Sequence, residues 1–228
     1  MRSIFILLIV SVYALTGNSC KDKGTRFIDQ GEIHYSVGYE GNVSHMPTEL
    51  MPKNLVVSFK HDKILYELIS PFGNSGITNL ANPAKEIYDT YLSMFTIKYF
   101  YPSKPGESYP GFEAMDDINI KITTKSSVIC GFNCKNAEVT FPFDRAKIYN
   151  VWYTDEIIVK NPNASTPFSS IEGVLMSFFF VIGQSEFHFE AENVYKKEIS
   201  DQTFERKDRF RKVSRAQINS FIGRMVKL

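Results

Sequence analysis

Apolar and polar residues alternate along much of this chain, which predicts a mainly antiparallel β domain with one wet face. Ile33, Tyr35, Val37 and Tyr39 fall on one side, with His34, Ser36 and Gly38 between them. Ile118, Ile120 and Ile122 alternate with Asn119, Lys121 and Thr123, and Ala137, Val139 and Phe141 alternate with Glu138 and Thr140. Phe187, Phe189 and Ala191 alternate with Glu186, His188, Glu190 and Glu192. Each segment reads as a half-buried strand. Residues 55–60 and 64–69 flank His61-Asp62-Lys63 and read as a tight hairpin. Residues 149–159, with the single Trp152, predict another long strand. The nearly unbroken apolar run 171–182 predicts a strand covered on both faces.

Two stretches interrupt the alternation. Residues 71–83 are rich in Gly, Asn and Ser, and residues 102–117 hold three prolines and two glycines; both read as loops. Residues 84–101 fit two templates. Ile87, Tyr91, Leu92 and Phe95 suit a helix, while 92–97 suits a strand, and the second half leans to strand. At the end of the chain Ser214 and Gln217 form a capping box. Ile218, Phe221, Ile222, Met225 and Val226 then recur at helical spacing, so an amphipathic helix is predicted there.

The N-terminus changes the picture most. Arg2 precedes an apolar run over 4–15, too short to span a bilayer, and Gly17-Asn18-Ser19 leads into Cys20. This layout predicts a signal peptide over 1–19, cleavage before Cys20 and acylation of the Cys20 thiol. Asn18 departs from the small residue usual before such a site. Residues 20–27 then form a lipidated tether and 28–228 a single β-rich binding domain. The membrane is a partner through that lipid, and the expected location is the cell envelope, at the outer membrane. With Cys20 used, Cys130 and Cys134 remain. On an extended strand their Cα atoms would lie roughly 13 Å apart, too far for a disulfide, whereas a turn at Gly131 would permit one. Two half-buried thiols is the simpler reading.

Composition supports a folded domain with a wide apolar interior. Of 228 residues, 43% are hydrophobic, 14% aromatic and 22% charged, which argues against disorder. Net charge is +1, so nothing draws the whole chain to nucleic acid. Residues 205–228 carry eight Lys/Arg against two acids, a net +6 that leaves −5 for residues 1–204. This basic run could meet lipid headgroups or an acidic partner, or simply cross the protein surface.

Little points to catalysis. His34, His45, His61 and His188 show no metal-ligand spacing, and no nucleophile elbow, phosphate loop or dinucleotide fingerprint occurs. No catalytic residue, metal or cofactor is expected. His188 with Glu186, Glu190 and Glu192 could do acid/base work or bind a cation, but a solvated outer face explains the row equally well.

Residues 129–137 (Ile-Cys-Gly-Phe-Asn-Cys-Lys-Asn-Ala) resemble a recurring signature of envelope proteins, a Gly-aromatic pair followed by Cys and a basic residue. Val151-Trp152-Tyr153-Thr154 follows at a similar distance, and 171–176 sits where a GLPGLI-type motif would fall, keeping only central Gly173 and the apolar tail. Taken together, the three segments are similar to GLPGLI-type domains and the LolA-like lipoprotein carriers. The resemblance implies a curved antiparallel sheet forming an incomplete β-barrel around helices, with an apolar cavity suited to lipid. It gives Cys134 no established role, and Cys130 is an addition to the pattern. Two functions are therefore expected: an anchored protein binding a lipid or other hydrophobic molecule, or a non-enzymatic component of an outer-membrane assembly with an envelope protein partner. The aromatic residues could line such a cavity or pack on each other as core.

Overall fold

The computed structural model describes residues 27–41, 49, 51–183 and 185–227. The expected leader over 1–19, Cys20 with the part of the expected tether up to residue 26, and His45 lie outside them.

Two strand meanders form the architecture. The first comprises β1 (Gln30–Gly41), β2 (Asn54–Lys60), β3 (Lys63–Ile69), β4 (Ser75–Asn82), β5 (Ile87–Met94) and β6 (Ile97–Pro102). The second comprises β7 (Asn119–Ile129), β8 (Phe132–Phe141), β9 (Asp144–Thr154), β10 (Val174–Ile182) and β11 (Ser185–Tyr195). A two-residue strand β12 (Arg211–Lys212) and helix α1 (Arg215–Lys227) finish the chain. The meanders join through β1 and β11, where Val37 pairs with Phe189 and Tyr39 with Phe187. The result is one curved, open, twelve-stranded sheet in the order β12-β6-β5-β4-β3-β2-β1-β11-β10-β9-β8-β7. All pairings are antiparallel except β12 with β6. The sheet does not close into a barrel, since β7 and β12 stay at opposite edges. The expected mainly β fold with a C-terminal amphipathic helix is what the chain adopts.

Local corrections have physical causes. Residues 71–83 are not one loop, because 75–82 form β4. Its amides find lateral partners, with Thr90 Oγ1 donating to Asn79 Oδ1 at 2.8 Å and Asn82 Nδ2 donating to the Phe204 carbonyl at 3.0 Å. A strand whose side-chain amides find cross-strand partners needs no apolar alternation. Residues 87–102 form the β5–β6 hairpin rather than a helix, turning at Phe95 (φ 53°). The strand expected over 149–159 begins earlier, at Asp144, and ends at Thr154. Ile122 is 53% exposed rather than half-buried, because β7 is an edge strand whose pairing breaks between Ile122 and Ser126.

The final segment wraps the sheet. Along the outer face of β3–β6, residues 199–210 cover Leu65, Leu80, Ile87 and Tyr91 with Ile199, Phe204 and Phe210. The chain then passes the edge as β12 and returns on the inner face as α1. The capping box forms: Ser214 N donates to Gln217 Oε1 at 3.0 Å, and Gln217 N to Ser214 Oγ at 3.3 Å. Ile218 and Ile222 are buried on the inner face, with Phe221 and Met225 partly buried beside them. The side chain of Val226 is outside the described part.

Candidate functional site

The concave face of the sheet is occupied by the protein itself. The segments that follow β6 and β9, together with α1, lay Tyr109, Phe112, Met115, Phe168, Ile171 and Ile218 into it, each at most 4% exposed. Phe112 stacks on Phe180 with ring centres 4.3 Å apart, Phe178 stacks on Phe189 at 4.9 Å, and Tyr35 meets Phe178 edge-on at 5.5 Å. The Tyr35 hydroxyl is satisfied by the Leu175 carbonyl at 2.7 Å, which lets a tyrosine sit in this layer without a buried orphan. Burial raises its pKa well above the ordinary tyrosine value. Most of the aromatic residues counted in the sequence are thus core.

An apolar cavity of about 40 Å³ survives among Leu55, Leu68, Ile77, Phe180, Ile182 and Ile222. It lies toward the sheet end at which β3, β5, β8 and β10 finish. The turns at that end expose large apolar side chains: Phe72 is 69% exposed, Phe95 73% and Phe143 82%. Phe95 N donates to the Asn74 carbonyl at 2.7 Å, so the turns bearing Phe72 and Phe95 are joined. A small apolar cavity and an apolar rim therefore share one end of the molecule. Sequence reading missed the rim, because Phe72 and Phe95 look like isolated loop residues until the meander brings their turns together.

The acidic row on β11 faces outward. Glu186 accepts from Lys147 Nζ at 2.9 Å and from the Tyr149 hydroxyl at 2.7 Å. Burial pushes Glu186 up, but those two donors hold it below the ordinary carboxylate value. His188 Nε2 lies 3.5 Å from Glu186 and 3.7 Å from Glu40, beyond hydrogen bonding. Glu40, which no sequence pattern singles out, joins the pair because β1 places it opposite Glu186. These are the ligand types for a cation, but Lys147 already neutralises Glu186. Glu190 and Glu192 are exposed.

The thiols are free. Cys130 and Gly131 (φ 53° and 82°) form the two-residue β7–β8 turn, and Cys134 is buried in β8. Burial raises both thiols, Cys134 to about 11. Three of the eight basic residues of the C-terminal run are held by acids of this chain. Arg206 binds Asp89, Lys207 binds Glu67 at 2.9 Å, and Arg215 binds Glu107 at 2.7 Å and Glu113 at 3.1 Å. Arg211 instead donates to the Tyr99 hydroxyl at 2.9 Å.

No family model matches the chain, so the resemblance to GLPGLI-type domains has no counterpart there. No curated protein matches it either. Among solved structures the chain is similar to PNGF-II in two crystal forms. For the P21 form the identity is 18% and the TM-score 0.53, over 85% of this chain and 33% of that one. For the C2 form the identity is 16% and the TM-score 0.50, over 85% of this chain and 32% of that one. A LolA superfamily protein, NE2245 from Nitrosomonas europaea, aligns at 10% identity and TM-score 0.23, over 78% of this chain and 90% of that one. At these identities the likeness to PNGF-II concerns the fold alone. The chain spans about a third of the length of the PNGF-II chains it matches.

Proposed function

We propose that this chain is a non-enzymatic, lipid-anchored envelope protein of the outer membrane that takes up a hydrophobic ligand at the apolar end of its curved sheet. One observation carries the reading: the apolar cavity lined by Leu68, Ile77 and Ile222 lies at the end rimmed by exposed Phe72 and Phe95. A space of about 40 Å³ accepts only the tip of a ligand, since small-molecule pockets usually hold roughly 300–1,000 Å³. The remainder would lie on the rim or displace the last turn of α1, whose Ile222 is a wall of the cavity. The anchor rests on the leader and Cys20, and the absence of catalysis on an acidic row already engaged with Lys147.

Native mass spectrometry of the protein purified from envelopes, followed by solvent extraction, tests this. One bound lipid or fatty acid per chain is expected, lost on Ile222→Trp, which fills the cavity. A clean apo mass from gentle purification would overturn the reading. A second reading, a structural or interaction component of an envelope assembly, is favoured by the plugged concave face and by a fold that makes up a third of a longer chain. Co-purification of a stoichiometric envelope protein, lost on Phe72→Ser with Phe95→Ser, is its expected signature; recovery of the chain alone would count against it.

A further inference from the structure

The sheet edge formed by β6 and β12 is basic. Of the eight cations in residues 205–228, Arg209, Arg211, Lys212 and Arg224 are exposed and meet no acid among the described residues; Lys98 on β6 shares both properties. Register brings them together. β12 runs beside β6 with Arg211 opposite Tyr99 and Lys212 opposite Phe100. Phe221 of α1 packs on Tyr99 with ring centres 4.7 Å apart, which brings Arg224 to the same edge. Aromatic rings brace three of these cations. The Arg211 guanidinium stands 4.8 Å from the Tyr99 ring centre, Arg224 4.2 Å from that of Phe221, and Lys98 Nζ 5.8 Å from that of Phe210. A ring covers one face of a guanidinium and leaves N–H groups at its edge for an oxyanion. Two acids share the final stretch: Lys85 holds Glu205 at 2.6 Å, and Asp208 is exposed.

The basic edge runs into the apolar rim. Lys98 follows the turn residue Phe95 by three positions, and Phe95 N donates to the Asn74 carbonyl in the turn that bears Phe72. Arg211, level with Tyr99, is roughly 7 Å along β6 from its first residue, Ile97. An interfacial segment buries apolar side chains about 5–10 Å into the boundary of headgroups and acyl chains, while its cations stay at the phosphates. Phe72 and Phe95, 69% and 73% exposed, supply the apolar part, and the cations just behind them the charged part. A flat acidic protein surface would meet the same cations but offers nothing to two protruding phenyl rings.

We propose that this corner of the molecule docks on an anionic phospholipid bilayer, with Phe72 and Phe95 entering the interface and Lys98, Arg211 and Arg224 meeting the lipid phosphates. The contact goes beyond the proposed ligand site, since it needs neither a molecule in the cavity nor an acyl group on Cys20.

Vesicle flotation of the chain from residue 21 tests this without the N-terminal apolar run or Cys20, and keeps every described residue. The probes are vesicles of phosphatidylcholine alone and of phosphatidylcholine with phosphatidylglycerol. Binding to the anionic vesicles is expected, weak on the neutral ones and released by salt. Lys98→Ser with Arg211→Ser should weaken it about tenfold or more, at about fivefold for each cation near the surface. Phe72→Ser with Phe95→Ser should also weaken it about tenfold or more. In Phe95→Trp the added indole should be quenched by lipids brominated on their acyl chains, beyond any quenching of Trp152 in the parent. Equal binding to both vesicles, binding to neither, or an unquenched added indole in bound protein would each overturn the assignment. Binding that survives loss of both phenyl rings would mark a plain polyanion contact, such as an acidic protein makes, and overturn it too. The two proposals fail separately: a clean apo mass leaves this contact standing, and a bound lipid without vesicle docking leaves the ligand site standing.

Discussion

Arg206 reaches over the outer face of the sheet to the fully buried carboxylate of Asp89. Its Nε lies 2.7 Å from Oδ2 and its Nη2 3.0 Å from Oδ1. Tyr91 donates its hydroxyl to Asp89 Oδ2 at 2.7 Å and accepts Lys207 N at 3.0 Å, so one buried acid pins the start of the outer crossing. Arg206→Ala leaves that carboxylate without its fork. A loss of about 2–3 kcal/mol, read from urea unfolding, is expected, less than a fully buried pair would give because Arg206 is half exposed. An unchanged midpoint would show that the pair does not hold the strap.

The surroundings of Gly173 explain a glycine. A Cβ there would stand 2.7 Å from Tyr153 Cδ2 and 2.8 Å from the Thr154 carbonyl oxygen. The oxygen is backbone and cannot swing aside, so β9 and β10 would have to separate. Gly173→Ala should cost about 1–3 kcal/mol by overpacking. Full wild-type stability in thermal unfolding would mean that the strand ends yield easily.

Acid should release α1 first. Burial pushes Glu107 up, but Lys104 N, the Tyr101 hydroxyl and Arg215 together hold it below its ordinary 4.5. A lowered folded value means the contribution is complete above 4.5 and is lost as pH falls through the lower folded value. Hydrogen exchange should therefore show α1 protected at neutral pH and loosened once the pH falls well below 4.5, with Glu107→Gln loosening it already at neutral pH. Equal protection of α1 at both pH values would remove Glu107–Arg215 as its anchor.

The thiol of Cys134 should resist alkylation. Raised by burial to about 11, it is roughly one part in a thousand thiolate at pH 8. Peptide mapping after iodoacetamide should find Cys134 unmodified in the folded protein and labelled in urea. Rapid native labelling would contradict its burial.

Parts of this fold are legible in the residues because they report locally. The alternation at Ile33–Tyr39 and Phe187–Ala191 survives because a strand has only two faces, and Ser214 with Gln217 caps α1 because a helix start has free N–H groups. Strand β4 is not legible because Asn79 Oδ1 and Asn82 Nδ2 find their partners in Thr90 and Phe204, neighbours that sequence order does not reveal. Phe72 and Phe95 form one apolar rim only because successive hairpins return to the same end of the sheet.

The residues alone carry the strand-rich class and the terminal helix, both consequences of contacts within a turn or two of chain. Three-dimensional folding set the rest: aromatic side chains plug the concave face, and Arg206, Lys207 and Arg215 are tied to Asp89, Glu67 and Glu107. The three ion pairs join residues 117, 140 and 108 positions apart, and chain order carries no signal for pairings made by sheet curvature.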